Sequence, residues 1–372
     1  MVMQVAVDRA ALLKAASRAI GVVERRATIP ILQHLLLEAS GASLSIRATD
    51  LDIEIVEALP ARVLRDGTAT LPAHTFHEII RKLPDGSEIN LTAEEDKMAV
   101  AAGRSKFTLS TLPREDFPMM ASAEFGRVFQ IQSSTLRRLF DKTKFAISTE
   151  ETRYYLNGVY FHIADDDGQS KLRAVATDGH RLARVDTDIP INAEGMAGVI
   201  VPRKTVSELR KLLENDDDLL NVAVSETKIR FSNGPMNLTS KVIDGTFPDY
   251  MRVIPSNNQL KMEVSPDRFS AAVDRVATVA SERTRAVKMS LSHNRIVLSV
   301  DSQETGSATE ELEASYTDPP LEIGFNSRFL MDIASQIDSE TAVFMLSDPN
   351  TPILVREGDD TSVIFVVMPL RV

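Results

Sequence analysis

Asp178 and His180 stand two residues apart in Ala176-Thr177-Asp178-Gly179-His180-Arg181-Leu182, with Asp186 and Asp188 close behind. A carboxylate beside an imidazole can do acid–base work, and the two could be half of a nucleophilic triad. The nucleophile is missing, because no Gly-x-Ser-x-Gly elbow occurs in the chain. Asp178-Gly179 reads equally as a turn between strands. His74 and His77, three apart near a helix start and followed by Glu78, fall short of the His-Glu-x-x-His that holds zinc. Packed or solvated histidines are the better account of them. Asp165-Asp166-Asp167-Gly168 invites calcium, but the sixth and twelfth positions counted from Asp165 are Ser170 and Ala176, where a calcium loop needs glycine and glutamate. An acidic turn explains that run. There is no cysteine, which excludes disulfides, thiolate metal sites and a cysteine nucleophile, and fits a reducing cytoplasm. Neither a P-loop nor a dinucleotide-binding glycine pattern is present. The residues therefore predict no metal and no cofactor. The apolar tail Phe365-Val366-Val367-Met368-Pro369-Leu370-Arg371-Val372 is either a last strand or the lip of an apolar surface. Pro369 would stop a strand ladder and free Met368 and Leu370 to line a groove.

The elements that must carry these residues repeat. One kind of helix starts at Asp8, at Ser133 and at Ser265-Pro266, steps of 125 and 132 residues. A second kind starts at Pro72, at Pro202 and at Asn326, steps of 130 and 124. Each start offers a cap or a proline, and each helix an apolar stripe, such as Phe269, Ala272, Val273 and Val276. A shared period of about 128 residues in a chain of 372 predicts three similar domains, each with two helices. Alternating runs at Leu44–Thr49, Lys228–Ser232, Asn294–Val300 and Ser362–Met368 read as strands, and Asp85-Gly86, Asn233-Gly234 and Gly358-Asp359 as turns. The fold class is α+β with antiparallel sheets. Joins fall near Ala121–Arg127 and Ile254–Gln259, giving domains 1-124, 128-254 and 259-372.

The formal charge is -11, from 42 basic and 53 acidic side chains. That argues against a general polyanion binder and leaves room for a local basic surface. The cations gather on the helices, as in Lys14 and Arg18, Arg137 and Arg138, Arg203 and Lys204, while acids cluster elsewhere. Such helices suit loose, sequence-independent contact with phosphates; a charged solvated face is the plainer explanation. No apolar run is long enough to cross a membrane, and the N-terminus does not read as a signal peptide.

Several segments in order resemble the bacterial DNA polymerase III beta subunits, the processivity sliding clamps, over essentially the whole chain. They are Arg26–Leu32, Ser105–Pro113, Asp116–Pro118, Arg153–Gly158, Ala176–Leu182, Val201–Lys204, Asp244–Tyr250, Glu322–Asn326 and Val366–Arg371. The resemblance implies a head-to-tail dimeric ring of three similar domains per chain, with twelve helices around duplex DNA and sheets at the rim. It implies a non-catalytic, cytoplasmic subunit that gives polymerases processivity. It also implies a pocket for short motifs of replicative and repair polymerases, the clamp loader and mismatch-repair proteins. Matching pocket positions are Leu156, Thr177, Gly179, His180, Arg181, Leu182, Pro248, Arg252, Val253, Val367, Met368, Pro369, Leu370 and Arg371. Matching DNA contacts are Arg26, Arg153, Tyr154, Tyr155, Arg203 and Lys204. At the dimer seam Arg104, Lys106, Phe107 and Leu109 would meet Thr278 and Val279, where the family commonly carries two large aliphatics; Glu304 is a candidate partner for the cations. That smaller apolar seam predicts a ring that opens more easily. Two other readings remain: a scaffold of repeated sheet domains that does not encircle DNA, and a hydrolase built on Asp178 and His180.

Overall fold

Each expected helix forms, and each begins where its cap or proline stands. The computed structural model describes residues 2–166 and 168–371, so Asp167 of the acidic turn lies outside the described residues. Helix α1 (Arg9–Val22) is capped by Asp8, whose carboxylate accepts from the Ala11 N–H at 2.9 Å. Helices α2 (Ala73–Lys82), α3 (Ser133–Asp141) and α4 (Arg203–Leu212) follow. Helix α5 (Pro266–Ala277) starts with proline in its first turn. Helix α6 (Ser327–Ala334) is capped by Asn326, which accepts from the Arg328 N–H at 3.0 Å. None of these helices is long and apolar enough to cross a membrane.

The remainder is antiparallel sheet, in two compact units by contact density. The first comprises residues up to Arg137 with Pro190–Ala197 and Lys204–Val242; the second comprises Arg138–Ile189, Gly198–Arg203 and the chain from Ile243. The first unit holds a five-stranded and an eight-stranded sheet. Helices α1 and α2 pack on each other, burying Leu12, Ala16, Phe76 and Ile80. One edge of the five-stranded sheet is Ser105–Ser110, with Phe107 37% exposed.

The second unit holds a nine-stranded and a four-stranded sheet. Its α5 lies over the strands Ala286–Ser292, Arg295–Ser302 and Gly306–Glu313 of the smaller sheet. Pleating sends Val287, Met289, Leu298 and Val300 into the buried layer and leaves Lys288, Ser299 and Asp301 on the other face. Gly306–Glu313 is one edge strand of that sheet, and Leu321–Asn326 is the other. In the larger sheet Arg181–Asp188 pairs on one side with Gln169–Thr177 and on the other with Asp360–Val367, joining the Thr-Asp-Gly-His-Arg-Leu segment to the C-terminal strand.

Candidate functional site

The turn that leads into Arg181–Asp188 is built by its own polar side chains. Asp178 Oδ1 accepts from the N–H groups of His180 (2.9 Å) and Arg181 (3.0 Å), and Oδ2 from Arg181 Nε at 3.1 Å. Thr177 Oγ1 accepts from the Gly179 N–H at 3.1 Å and donates to the Arg181 carbonyl at 2.7 Å. Gly179 sits at φ +88°, a backbone conformation that strains any residue with a Cβ, and a Cβ there would also push the Arg153 guanidinium aside. Both Asp178 oxygens are thus engaged in the turn. The His180 ring instead stacks beside Phe329, centroids 6.2 Å apart. The spacing that suggested an acid–base pair is the spacing of a turn, and the hydrolase reading loses its geometric basis.

Beside this turn opens a pocket of about 300 Å³, entirely within the second unit. Of the expected residues, Leu156, Thr177, Gly179, His180, Arg181, Leu182, Pro248, Val253 and Met368 line it. Val367 does not: it is fully buried, and strand alternation gives the pocket Val366 in its place. Arg252 stands outside, 83% exposed at its side chain and paired with Asp249 at 2.8 Å. Leu370 and Arg371 line a neighbouring cavity, and Pro369 lines neither. Arg153 and Tyr155, expected at DNA, both line the pocket, while Tyr154 is exposed. Asp249 and Tyr250 line it too, unassigned from the sequence although Asp244–Tyr250 was among its resembling segments.

The strand ladder ends at Val367, and the Met368 N–H still donates to the His180 carbonyl at 2.9 Å. Met368 therefore has a fixed backbone, and the residue is 40% exposed where it lines the pocket. Arg181 is held by Asp332 at 2.5 Å, by the Phe145 carbonyl at 2.9 Å and over the Phe329 ring at 4.6 Å. Apolar walls with a few fixed polar groups suit an extended peptide with aliphatic or aromatic anchors.

A buried polar network stands behind the wall. Arg173, 1% exposed, forks onto Asp186 at 2.6 and 2.8 Å, also binds Asp166, and donates to the Tyr250 hydroxyl at 3.2 Å. His162 Nδ1 lies 3.0 Å from the Ile163 carbonyl, so that nitrogen carries the proton, and Nε2 accepts from Tyr250 at 3.0 Å. Burial keeps the ring neutral, holding its pKa down to about 4. The unfolded chain takes up that proton near 6.5. The stabilisation is therefore complete above about pH 6.5 and lost as pH falls through 4, a change on the order of 3 kcal/mol. Unfolding midpoints measured from pH 7 to 4 should fall less steeply in His162→Gln; equal slopes would refute this.

The helix cations are mostly neutralised inside the chain. Lys14 pairs with Glu214 at 2.7 Å, Arg18 with Glu57 at 2.7 Å, Arg138 with Asp360 at 2.7 Å and Lys142 with Glu357 at 2.9 Å. Lys204, a candidate DNA contact, pairs with Asp50 at 2.5 Å. Arg26 and Arg203 are exposed and make no ion pair among the described residues.

Comparison with known proteins follows the chain from end to end. Family models of the DNA polymerase III beta subunit match in order: the N-terminal domain at residues 3–121, the central domain at 130–249 and the C-terminal domain at 251–371. The beta sliding clamp of Caulobacter vibrioides is 50% identical over 372 residues, all of both chains. That of Pseudomonas aeruginosa is 39% identical, covering 99% of this chain and 100% of its own. The sliding clamp of Bartonella birtlesii bound to griselimycin matches with a TM-score of 0.97 at 50% identity over the whole of both chains. That of Pseudomonas aeruginosa bound to griselimycin gives 0.95 at 38%, again over both whole chains.

Proposed function

This chain belongs to the DNA polymerase III beta subunit family, and from that premise we propose that two copies close head to tail around duplex DNA. The ring tethers replicative and repair polymerases, the clamp loader and mismatch-repair proteins by short motifs seated beside Met368. It acts in the cytoplasm as a non-catalytic subunit and reads no base sequence. The domains are 1-124, 128-254 and 259-372. The observation that carries the reading is the apolar pocket walled by Leu182, Val253, Val366 and Met368, built on a turn whose catalytic-looking groups are occupied in holding it.

Two features support the ring. Ser105–Ser110 and Gly306–Glu313 are both sheet edges. The first carries Lys106 and follows Arg104; the second carries Glu313 and follows Glu304, with Glu310 and Glu311 already paired to Arg275 and Arg295. Edges of opposite charge are suited to pair between two copies, with exposed Phe107 and half-buried Leu109 packing by Thr278 and Val279. The internal pairing of the helix cations, in turn, leaves few positive charges to grip phosphates. Arg26, Arg203 and Lys204 give weak contacts, and Tyr154 and Tyr155 could stack on unpaired bases. Retention by topology needs no more, and weak contacts keep the barrier to sliding low.

The test is retention on DNA of two topologies. Protein is loaded on nicked circular plasmid by a clamp loader of demonstrated activity with ATP, and half the sample is then cut once. Persistence on circles at moderate salt with loss from the cut DNA is expected. Equal retention on both would mean ordinary electrostatic binding.

A further inference from the structure

His180 lines two cavities. The second, about 870 Å³, is a trough on the solvent face of the four-stranded sheet. Its floor is set by register: Lys288 pairs with Ser299 and Ser299 with Thr309, while Asp301 pairs with Ser307. These side chains point away from α5, and Arg283 and Arg371 stand at the margin. The lining carries three cations, Arg283, Lys288 and Arg371, against one acid, Asp301. Lys288 has only the exposed Glu322 at 3.4 Å, and Arg283 and Arg371 make no ion pair among the described residues. Ala286, Val300, Phe329 and Leu370 also line the trough, and the cations and hydroxyls set among them suit carboxylate side chains. The trough and the anchor pocket share His180 in their linings, so chain adjoining the anchors is what would reach the trough. Crossing three strands at about 4.8 Å spacing takes roughly three to four extended residues.

We propose that this trough receives an acidic segment flanking the anchor motif of a partner peptide, with Arg283 and Lys288 setting the preference for it. The inference rests on the pocket reading of the previous section.

The experiment titrates the full-length protein with synthetic peptides that share one leucine- and phenylalanine-anchored motif. They carry, on the N-terminal or the C-terminal side, either Asp-Glu-Asp or Asn-Gln-Asn. One acidic peptide is expected to bind roughly 3–10-fold tighter than its neutral twin at low salt, the ratio shrinking as salt rises. In Arg283→Glu with Lys288→Glu the ratio should fall to one or invert, and in Asp301→Asn it should rise. Equal affinities on both sides in the unaltered protein would overturn the proposal, as would a ratio unchanged in both variants. Absence of binding by every peptide would overturn the pocket reading itself, a result distinct from equal binding.

Discussion

Replacing Met368 with aspartate should weaken a leucine- and phenylalanine-anchored partner peptide by about 10–100-fold, a loss of roughly 1.4–2.7 kcal/mol. The expectation follows from where the side chain stands. Met368 comes directly after the last strand, its N–H donates to the His180 carbonyl at 2.9 Å, and the residue is 40% exposed where it lines the pocket. The backbone bond survives any substitution except proline. The exposed site tolerates a carboxylate in the free protein, so the melting temperature should not move. The cost arises on binding. An anchor seated against Leu182, Val253 and Val366 would bury that carboxylate beside apolar surface without a partner, since Arg181 is already committed to Asp178 and Asp332. Met368→Leu keeps the volume and the apolar character and should stay within about threefold of the unaltered affinity. Calorimetric titration of the three proteins with one peptide measures this. Undiminished binding by the aspartate variant would show that the anchors sit elsewhere.

Sequence reading reached some of these residues and missed others for identifiable reasons. The helices were legible because their signals are local: Asp8 and Asn326 accept from N–H groups two or three residues on, and Pro266 stands inside the first turn of α5. The choice of Val367 over Val366 failed because Val363–Val367 is apolar throughout. A strand buried on both faces carries no alternation from which its phase can be read. Asp178 and His180 misled for the opposite reason, since a chemical spacing and a turn spacing coincide at two residues. The role of Arg173 stayed hidden because its partner is thirteen residues away. Yet once the turn at Asp178-Gly179 is accepted, the hairpin register puts Arg173 opposite Asp186, and that pairing could have been written down. The helix cations looked like a DNA-facing set because Glu57, Glu214, Asp360 and Glu357, which neutralise them, lie far off in sequence. Charge counted along a helix does not show where its counter-charges fold.

The Arg173–Asp186 pair yields the second large effect. Asp186→Asn should destabilise the protein by about 3–5 kcal/mol, because removing one member of a buried ion pair leaves the other charge uncompensated. Asp166, which also binds Arg173, keeps the loss toward the lower figure. A fall in melting midpoint of roughly 6–12 °C corresponds to it. The same hairpin holds a control. Lys171 lies opposite Asp188 at 2.6 Å, two register steps from Arg173, but Asp188 is 94% exposed at its side chain. Asp188→Asn should leave the midpoint where it was, since solvent already screens that pair. The substitution and the register are matched, while the exposed pair also has a single lysine contact in place of the arginine fork, so the contrast compares a buried bidentate pair with an exposed simple one. The pair also reaches the pocket: Arg173 donates to the Tyr250 hydroxyl, which in turn donates to His162, and Tyr250 lines the wall. Asp186→Asn should therefore weaken the anchored peptide even at a temperature where the variant is fully folded. The double change of Arg173→Met with Asp186→Leu should recover only part of the stability, because it removes both charges of the pair but leaves Arg184, 3.3 Å from Asp186, and Asp166 without their partners. It should not recover the peptide affinity, since Tyr250 would still lack its donor. Stability and binding that returned together would mean that packing alone shapes the wall, with no part played by the hydrogen bonds behind it.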